Sequence, residues 1–289
     1  MSARPAFKAG SWYPAAPSAL RRDIAKYLRQ ADCKASRPAI AGIVPHAGLA
    51  YSGPVAAKVY AWLAAANKEV ETFVIFGAVH TMHLRKPAIW QAGVWQTPLG
   101  DIAVDEELAS AIAASGAAEF DDRPHLGDNA IELQTPFIKH AFPNAQIVPI
   151  AVPPNAAAAP LGITTWEICK KIDRGAIALG STDLTHYGDA FGCMPAGIGE
   201  PALAWARRND CKLLGLMASL AAEEVVPTAA HDHSACGAGA AAAATAFARA
   251  AGCEGGIILA QTTSHDIMPA DTAAHFVGYG AIIFPQSKL

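Results

Sequence analysis

Three apolar runs in this chain each end in a polar motif that carries a histidine, and this arrangement constrains the fold more than any other feature. Ala39–Val44 runs into Pro45-His46-Ala47-Gly48, and Thr72–Phe76 into Gly77-Ala78-Val79-His80. Ala176–Gly180 runs into Ser181-Thr182-Asp183-Leu184-Thr185-His186. Short runs rich in β-branched, aliphatic and aromatic residues predict buried strands. Helical stretches separate them: Val55–Ala66, with Pro54 placed in its first turn, Asp105–Ser115, and the alanine-rich Cys236–Ala251. Ile147–Val152, Gly256–Ala260 and Val277–Phe284 complete the predicted strands. Strands alternating with helices predict an α/β fold, a layered α/β/α domain around a mostly parallel or mixed central sheet. No repeat or low-complexity linker divides the chain, so residues 1–289 are expected to form a single domain.

In open α/β sheets, ligands bind outside the carboxyl ends of the strands, so residues just past separate strands can meet in one crevice. Any one of these histidines alone reads as readily as a core or surface residue. Three strand ends in succession point instead to a shared site made from His46, His80, Asp183 and His186. Cys236, in Ala235-Cys236-Gly237, sits where the alanine-rich helix is expected to begin. A helix N-terminus favours negative charge and lowers a thiol's pKa, which suits a nucleophile or a soft metal ligand. The plainer alternative is a small residue packing a helix start. His231 and His233 are spaced wrongly to share a helical face and are read as loop residues.

Composition excludes several classes of function. Hydrophobic residues make up 52% and charged residues 16%, enough apolar material for a large core and too much for a disordered chain. The net charge is -3 and lysines and arginines form no long run, so neither nucleic acid nor an anionic membrane is an expected partner. The first residues lead into no apolar stretch suited to a signal peptide, and the alanine-rich segment is interrupted by Arg249 and too short to span a bilayer. Six scattered cysteines form no C-x-x-C pair. The expectation is a cytoplasmic protein with reduced thiols.

Longer motifs carry a family resemblance. Phe7-Lys8-Ala9-Gly10-Ser11-Trp12-Tyr13-Pro14, Ile43-Val44-Pro45-His46-Ala47-Gly48 and Tyr51-Ser52-Gly53-Pro54-Val55-Ala56-Ala57 are followed by Phe76–His80 and Thr97-Pro98-Leu99-Gly100-Asp101. Ile131-Glu132-Leu133-Gln134-Thr135-Pro136-Phe137, Ser181–Gly188 and Ala235–Gly237 complete the set, in an order that spans nearly the whole chain. Together they resemble the Memo-like family, which includes proteins called AmmeMemoRadiSam system protein B and is related to the LigB-type extradiol dioxygenases. The resemblance implies a LigB-like fold. It implies His46, His80 and Cys236 as metal ligands, Asp183 and His186 as a catalytic pair beside them, and Glu132 as a carboxylate that is structural, orients a ligand or contacts substrate. Fe(II) is the implied metal, with copper or zinc as alternatives. The implied partners are a small organic substrate and a functionally linked radical SAM protein of the AmmeMemoRadiSam type.

Two departures from the pattern bear on mechanism. A thiolate stands where the dioxygenase relatives have a carboxylate, a softer donor that tilts affinity toward copper or zinc. The family often shows Glu-His-Ser where this chain has Asp128-Asn129-Ala130, so a pocket histidine is missing. His125 either replaces it at the substrate or stands in a solvated loop. Three functions remain open on the sequence: a metal-dependent redox enzyme of dioxygenase type, a non-catalytic binder of a metal or peptide, and a thiol hydrolase with Cys236 as nucleophile.

Overall fold

The structure, a computed structural model, describes residues 3–67 and 69–287. Its centre is four parallel strands in the order Ala39–Val44, Ala176–Ser181, Thr72–Gly77, Gln146–Ala151. All but Gln146 of their residues are buried, as expected for strands covered on both faces. Phe276–Pro285 adds antiparallel to Ala39–Val44, and Ile257–Thr263 pairs antiparallel with Phe276–Pro285. Short strands at Ala88–Ile89 and Glu119–Phe120 extend the other side, making the sheet mixed.

Alternation along the strands assigns a helical layer to each face. A side chain at Gly42 would run into Val59 of the helix Leu49–Ala66, on the face that also carries Leu179. A side chain at Gly180 would instead meet the backbone of Ala240, in the helix Ala238–Ala250, on the opposite face. The result is an α/β/α sandwich. The alanine-rich helix is buried from Ala238 through Ala248, and its small residues let the neighbouring helix Ala158–Lys171 come very close. A Cβ at Gly162 would sit 2.0 Å from the carbonyl oxygen of Ala243. The alanines thus serve close packing as well as helix propensity.

The expected boundaries shift in two places that matter. The helix expected at Val55–Ala66 starts at Leu49, with Gly48 as its cap, and Pro54 lies inside it rather than in its first turn. Proline deletes one backbone donor there, and the helix tolerates the loss because burial of Val55, Val59, Tyr60 and Leu63 holds it in place. The alanine-rich helix begins at Ala238 and leaves Cys236 in the connection before it.

Register explains how distant residues meet. Val44 pairs with Ser181, and Ser181 pairs with Gly77, so three adjacent strands end in one row. His46, Asp183 and His80 follow those ends by two or three residues and emerge at the same edge of the sheet. Cys236 arrives in the segment that leads into the helix Ala238–Ala250. A Cβ on Gly237 would lie 2.5 Å from the Ser181 carbonyl oxygen, so only glycine lets this segment rest on the strand end. The Gly237 amide donates to Thr182 Oγ1 at 2.9 Å, and the Cys236 amide donates to the Asp183 carbonyl.

Candidate metal centre

His46, His80 and Cys236 each offer a donor atom, and these atoms lie within 4.8 Å of one another. Cys236 Sγ is 3.1 Å from His46 Nε2, and the two imidazoles meet edge to face with ring centroids 5.2 Å apart. His46 is buried, whereas the His80 side chain is 36% exposed and forms the solvent-facing wall.

The surrounding hydrogen bonds fix which nitrogen each ring presents. Ser181 has one hydroxyl proton, which it donates to the Ala130 carbonyl at 2.6 Å. Its oxygen therefore accepts from its other two partners, Gln134 Nε2 at 3.0 Å and His46 Nδ1 at 3.1 Å. The amide orientation of Gln134 is set in turn by donation to the Pro45 carbonyl and by acceptance from the Tyr60 hydroxyl. His46 thus carries its proton on Nδ1 and turns an Nε2 lone pair toward Cys236. His80 reaches the same state by another route. Its Nδ1 donates to Asp128 Oδ1 at 3.2 Å, and its main-chain amide donates to Asp128 Oδ2 at 2.7 Å. Two imidazoles with Nδ1 engaged by an acceptor and Nε2 free are oriented as metal-binding histidines are, and a thiol stands beside them. The donor set fits a transition-metal ion.

Burial lowers the pKa of His46 below the usual imidazole value. Burial also pulls on His80, but the hydrogen bond and charge of Asp128 outweigh it and raise this pKa. The Cys236 thiol is pushed well up, first by burial and then by the Asp183 carboxylate. The expected lowering by a helix N-terminus does not appear: the cysteine lies before the helix, and burial raises its pKa. A coordinated cation reverses this balance, because a coordinating thiol is held deprotonated.

The other predicted residues fall into different places. Asp183 is buried at the site, but its Oδ1 accepts from the His46 main-chain amide at 2.7 Å and makes no hydrogen bond to His186. His186 donates Nδ1–H to the Leu184 carbonyl at 2.9 Å, so its Nε2 is the proton acceptor. This ring lines two adjoining cavities, one of about 430 Å³ that also takes in Cys236 and one of about 410 Å³ that takes in Asp183.

Glu132 hydrogen-bonds to no histidine among the described residues. It is fully buried and binds the N-terminal arm, accepting from Arg4 Nη1, the Lys8 amide and the Tyr13 hydroxyl, each at 2.7 Å. His125 is not solvated but buried in the core. It is 2% exposed, bonds through Nε2 to the Ala88 carbonyl and packs edge to face on Trp90 and Trp95. Burial depresses its pKa to about 4, which keeps it neutral in the core. Asn129, at the position of the missing histidine, donates to the His46 carbonyl at 3.0 Å. His231 lies in the last turn of the helix Ala222–Asp232 rather than in a loop, and pairs with Asp232; His233 caps that helix in a left-handed conformation.

Sequence reasoning missed Asp128, Ser181 and Gln134. Each is an ordinary polar residue inside a motif noticed for another reason, and only the fold shows which histidine it faces.

The comparisons with known proteins agree in extent with this architecture. The family profile described as Memo-like protein matches residues 4–283. The chain is 33% identical to a MEMO1 family protein of Thermococcus onnurineus, covering 96% of this chain and 97% of the relative. It is 32% identical to one from Thermococcus kodakarensis, with 96% and 97% covered, and 31% identical to one from Methanopyrus kandleri, with 96% of each covered. With the profile spanning nearly all of the chain and relatives about one-third identical over nearly their whole length, this protein belongs to the Memo-like family.

Proposed function

We propose that this protein is a metal-dependent oxidoreductase of dioxygenase type that acts on a small organic substrate, with Fe(II) held by His46, His80 and Cys236. The observation that carries this reading is the presentation of two imidazole Nε2 atoms and one thiol to a common point, each imidazole locked by an acceptor on Nδ1. When bound, Fe(II) would supply redox chemistry and open positions for O₂ and substrate.

The chain's own groups supply the rest. Asp183 fixes the main chain at His46, and Asp128 does the same at His80 while orienting its ring. His186, with its proton held on Nδ1 by the Leu184 carbonyl, has Nε2 to take or return a proton on the cavity side. The apolar lining supplied by Leu184, Val226 and Ala229 limits water around a bound substrate.

A Cys–His hydrolase would need only the contact between Cys236 and His46. It gives no role to His80, whose Nε2 is brought to the same point by a dedicated carboxylate. The thiol donor does favour a second reading, in which the soft site holds copper or zinc without turnover. Anaerobic loading with Fe(II), followed by O₂ uptake with a panel of small organic substrates, separates the two. Uptake above the protein-free rate supports the enzyme, and a loaded protein silent across the panel supports the binder.

A further inference from the structure

The cavity beside the candidate metal centre has a charge pattern that selects its ligand. Trp12, Tyr51 and Phe191 line it, together with Asp183 and His186. The three aromatic residues are large and partly solvent-facing, at 37%, 39% and 48% exposed, although the protein has core space for such rings elsewhere. Asp183 is the opposite case, a carboxylate only 4% exposed. Its Oδ1 accepts from the His46 amide, and no side-chain hydrogen bond engages its Oδ2 among the described residues. Among the described residues, no lysine or arginine lines this cavity or the adjoining one. A carboxylate of low exposure, with one oxygen free of side-chain partners in a cavity lined by no lysine or arginine, favours a cation. Aromatic faces attract cations, organic ammonium groups above all. The Trp12 ring already does so within the protein, with the Lys8 ammonium 5.3 Å from its centroid.

We propose that this cavity is a subsite for an organic ammonium group, with Asp183 as its counter-ion and Trp12, Tyr51 and Phe191 as its aromatic walls. An anionic substrate is disfavoured, because among the described residues the lining offers it no lysine or arginine and places the Asp183 carboxylate in its way. The two cavities share His186 and Phe191, so an amine seated at Asp183 extends its apolar body past His186 toward Leu184, Val226 and Cys236. The inference rests on the reading of this pocket as the seat of a small organic substrate, and it narrows that substrate to small amines with an aromatic or apolar body.

The test uses metal-free protein, so that its outcome does not depend on whether the metal assignment holds. Three probes of one shape are titrated by calorimetry or by Trp fluorescence: 2-phenylethylammonium, 2-phenylethanol and phenylacetate. The ammonium should bind about tenfold tighter than the alcohol, with the carboxylate weakest. Asp183→Asn, whose side-chain oxygen can still accept from the His46 amide, should bring the ammonium to the level of the alcohol. Tyr51→Leu keeps apolar bulk without the ring and should weaken the ammonium more than the alcohol; it decides the matter if Asp183→Asn does not fold. Equal binding of alcohol and ammonium to the wild type, tighter binding of phenylacetate, survival of the preference in Asp183→Asn, or binding of no probe overturns the proposal. Loss of metal in ligand variants is a separate readout, which these titrations leave untouched.

Discussion

His46 Nε2 lies 3.1 Å from Cys236 Sγ, although 190 residues of chain separate them. Two devices close that distance. The parallel register of Ala39–Val44 and Ala176–Ser181 brings the His46 turn beside the Asp183 turn, and Gly237 lets the cysteine segment settle on the same strand end. The contact is thus a product of the sheet, and the groups behind each ligand determine how well it binds.

Those groups are open to direct test. Ser181→Ala removes the acceptor for His46 Nδ1, and Asp128→Asn removes the carboxylate charge behind His80. Each substitution should weaken metal affinity about 10–100-fold, as loss of such supporting partners commonly does. Anaerobic competition against a chromophoric chelator measures the change; affinities equal to wild type in both variants would contradict the orientation argument.

His186→Ala should leave metal content unchanged, because His186 points Nε2 into the cavity and is not one of the clustered donors. In the Fe(II)-loaded protein it should lower turnover by about 10²–10⁴-fold, the usual contribution of positioned proton transfer. Unchanged O₂ uptake in this variant removes His186 from the mechanism.

Glu132 holds the N-terminal arm, and its structural role can be tested apart from the metal site. Its ion pair with Arg4 joins side chains that are 1% and 0% exposed, and Arg4 also reaches the carbonyls of His125 and Asp128. Glu132→Gln should cost about 3–5 kcal/mol of stability, because it leaves a buried guanidinium without its counter-ion. Metal stoichiometry of the folded variant should remain that of the wild type. Thermal or urea unfolding with parallel metal analysis checks both halves; loss of metal without loss of stability would return Glu132 to the site.

Asp210 predicts a pH dependence of stability. It is buried behind Thr185, with Oδ1 accepting from the Thr185 amide and Oδ2 without a partner, and burial raises its pKa from 3.8 to about 7. A folded-state pKa above the unfolded one means that the native state holds its proton more tightly. The associated stability is fully present below pH 3.8 and is lost as pH rises through about 7. Asp210→Asn keeps the acceptor for Thr185 without the charge. It should be about 2–4 kcal/mol more stable than wild type at pH 8 and show little advantage near pH 4. Urea unfolding at the two pH values decides it, and a constant difference between the proteins contradicts the assignment.

Much of the fold was legible from apolar runs, because strands buried on both faces leave an uninterrupted signal in sequence. Ala39–Val44, Thr72–Gly77 and Ala176–Ser181 fall within a residue of their expected ends. Helix starts were less legible: Gly48 caps a helix that Pro54 suggested should begin later. In the site, strand ends pointed to His46 and His80, while the family motif was needed for Cys236. The supporting residues stayed hidden because a hydrogen-bond acceptor has no spacing rule. Ser181 serves His46 across the sheet, and Asp128 serves His80 across 48 residues. The burial of Glu132 and His125 stayed hidden for the same reason, since a polar residue in a motif does not reveal whether it faces a cavity or the core.

The most direct test of the account is metal stoichiometry under anaerobic conditions, measured by elemental analysis after Fe(II) titration of the wild type and three cysteine variants. Cys236→Ser replaces the thiolate with a poorly ionised hydroxyl, whereas Cys33→Ser and Cys253→Ser alter thiols outside the cluster. The account predicts one tightly bound ion per chain in the wild type and in the Cys33 and Cys253 variants, and loss of that ion in Cys236→Ser. If all four proteins bind alike, or none holds an ion, His46, His80 and Cys236 do not form a metal centre.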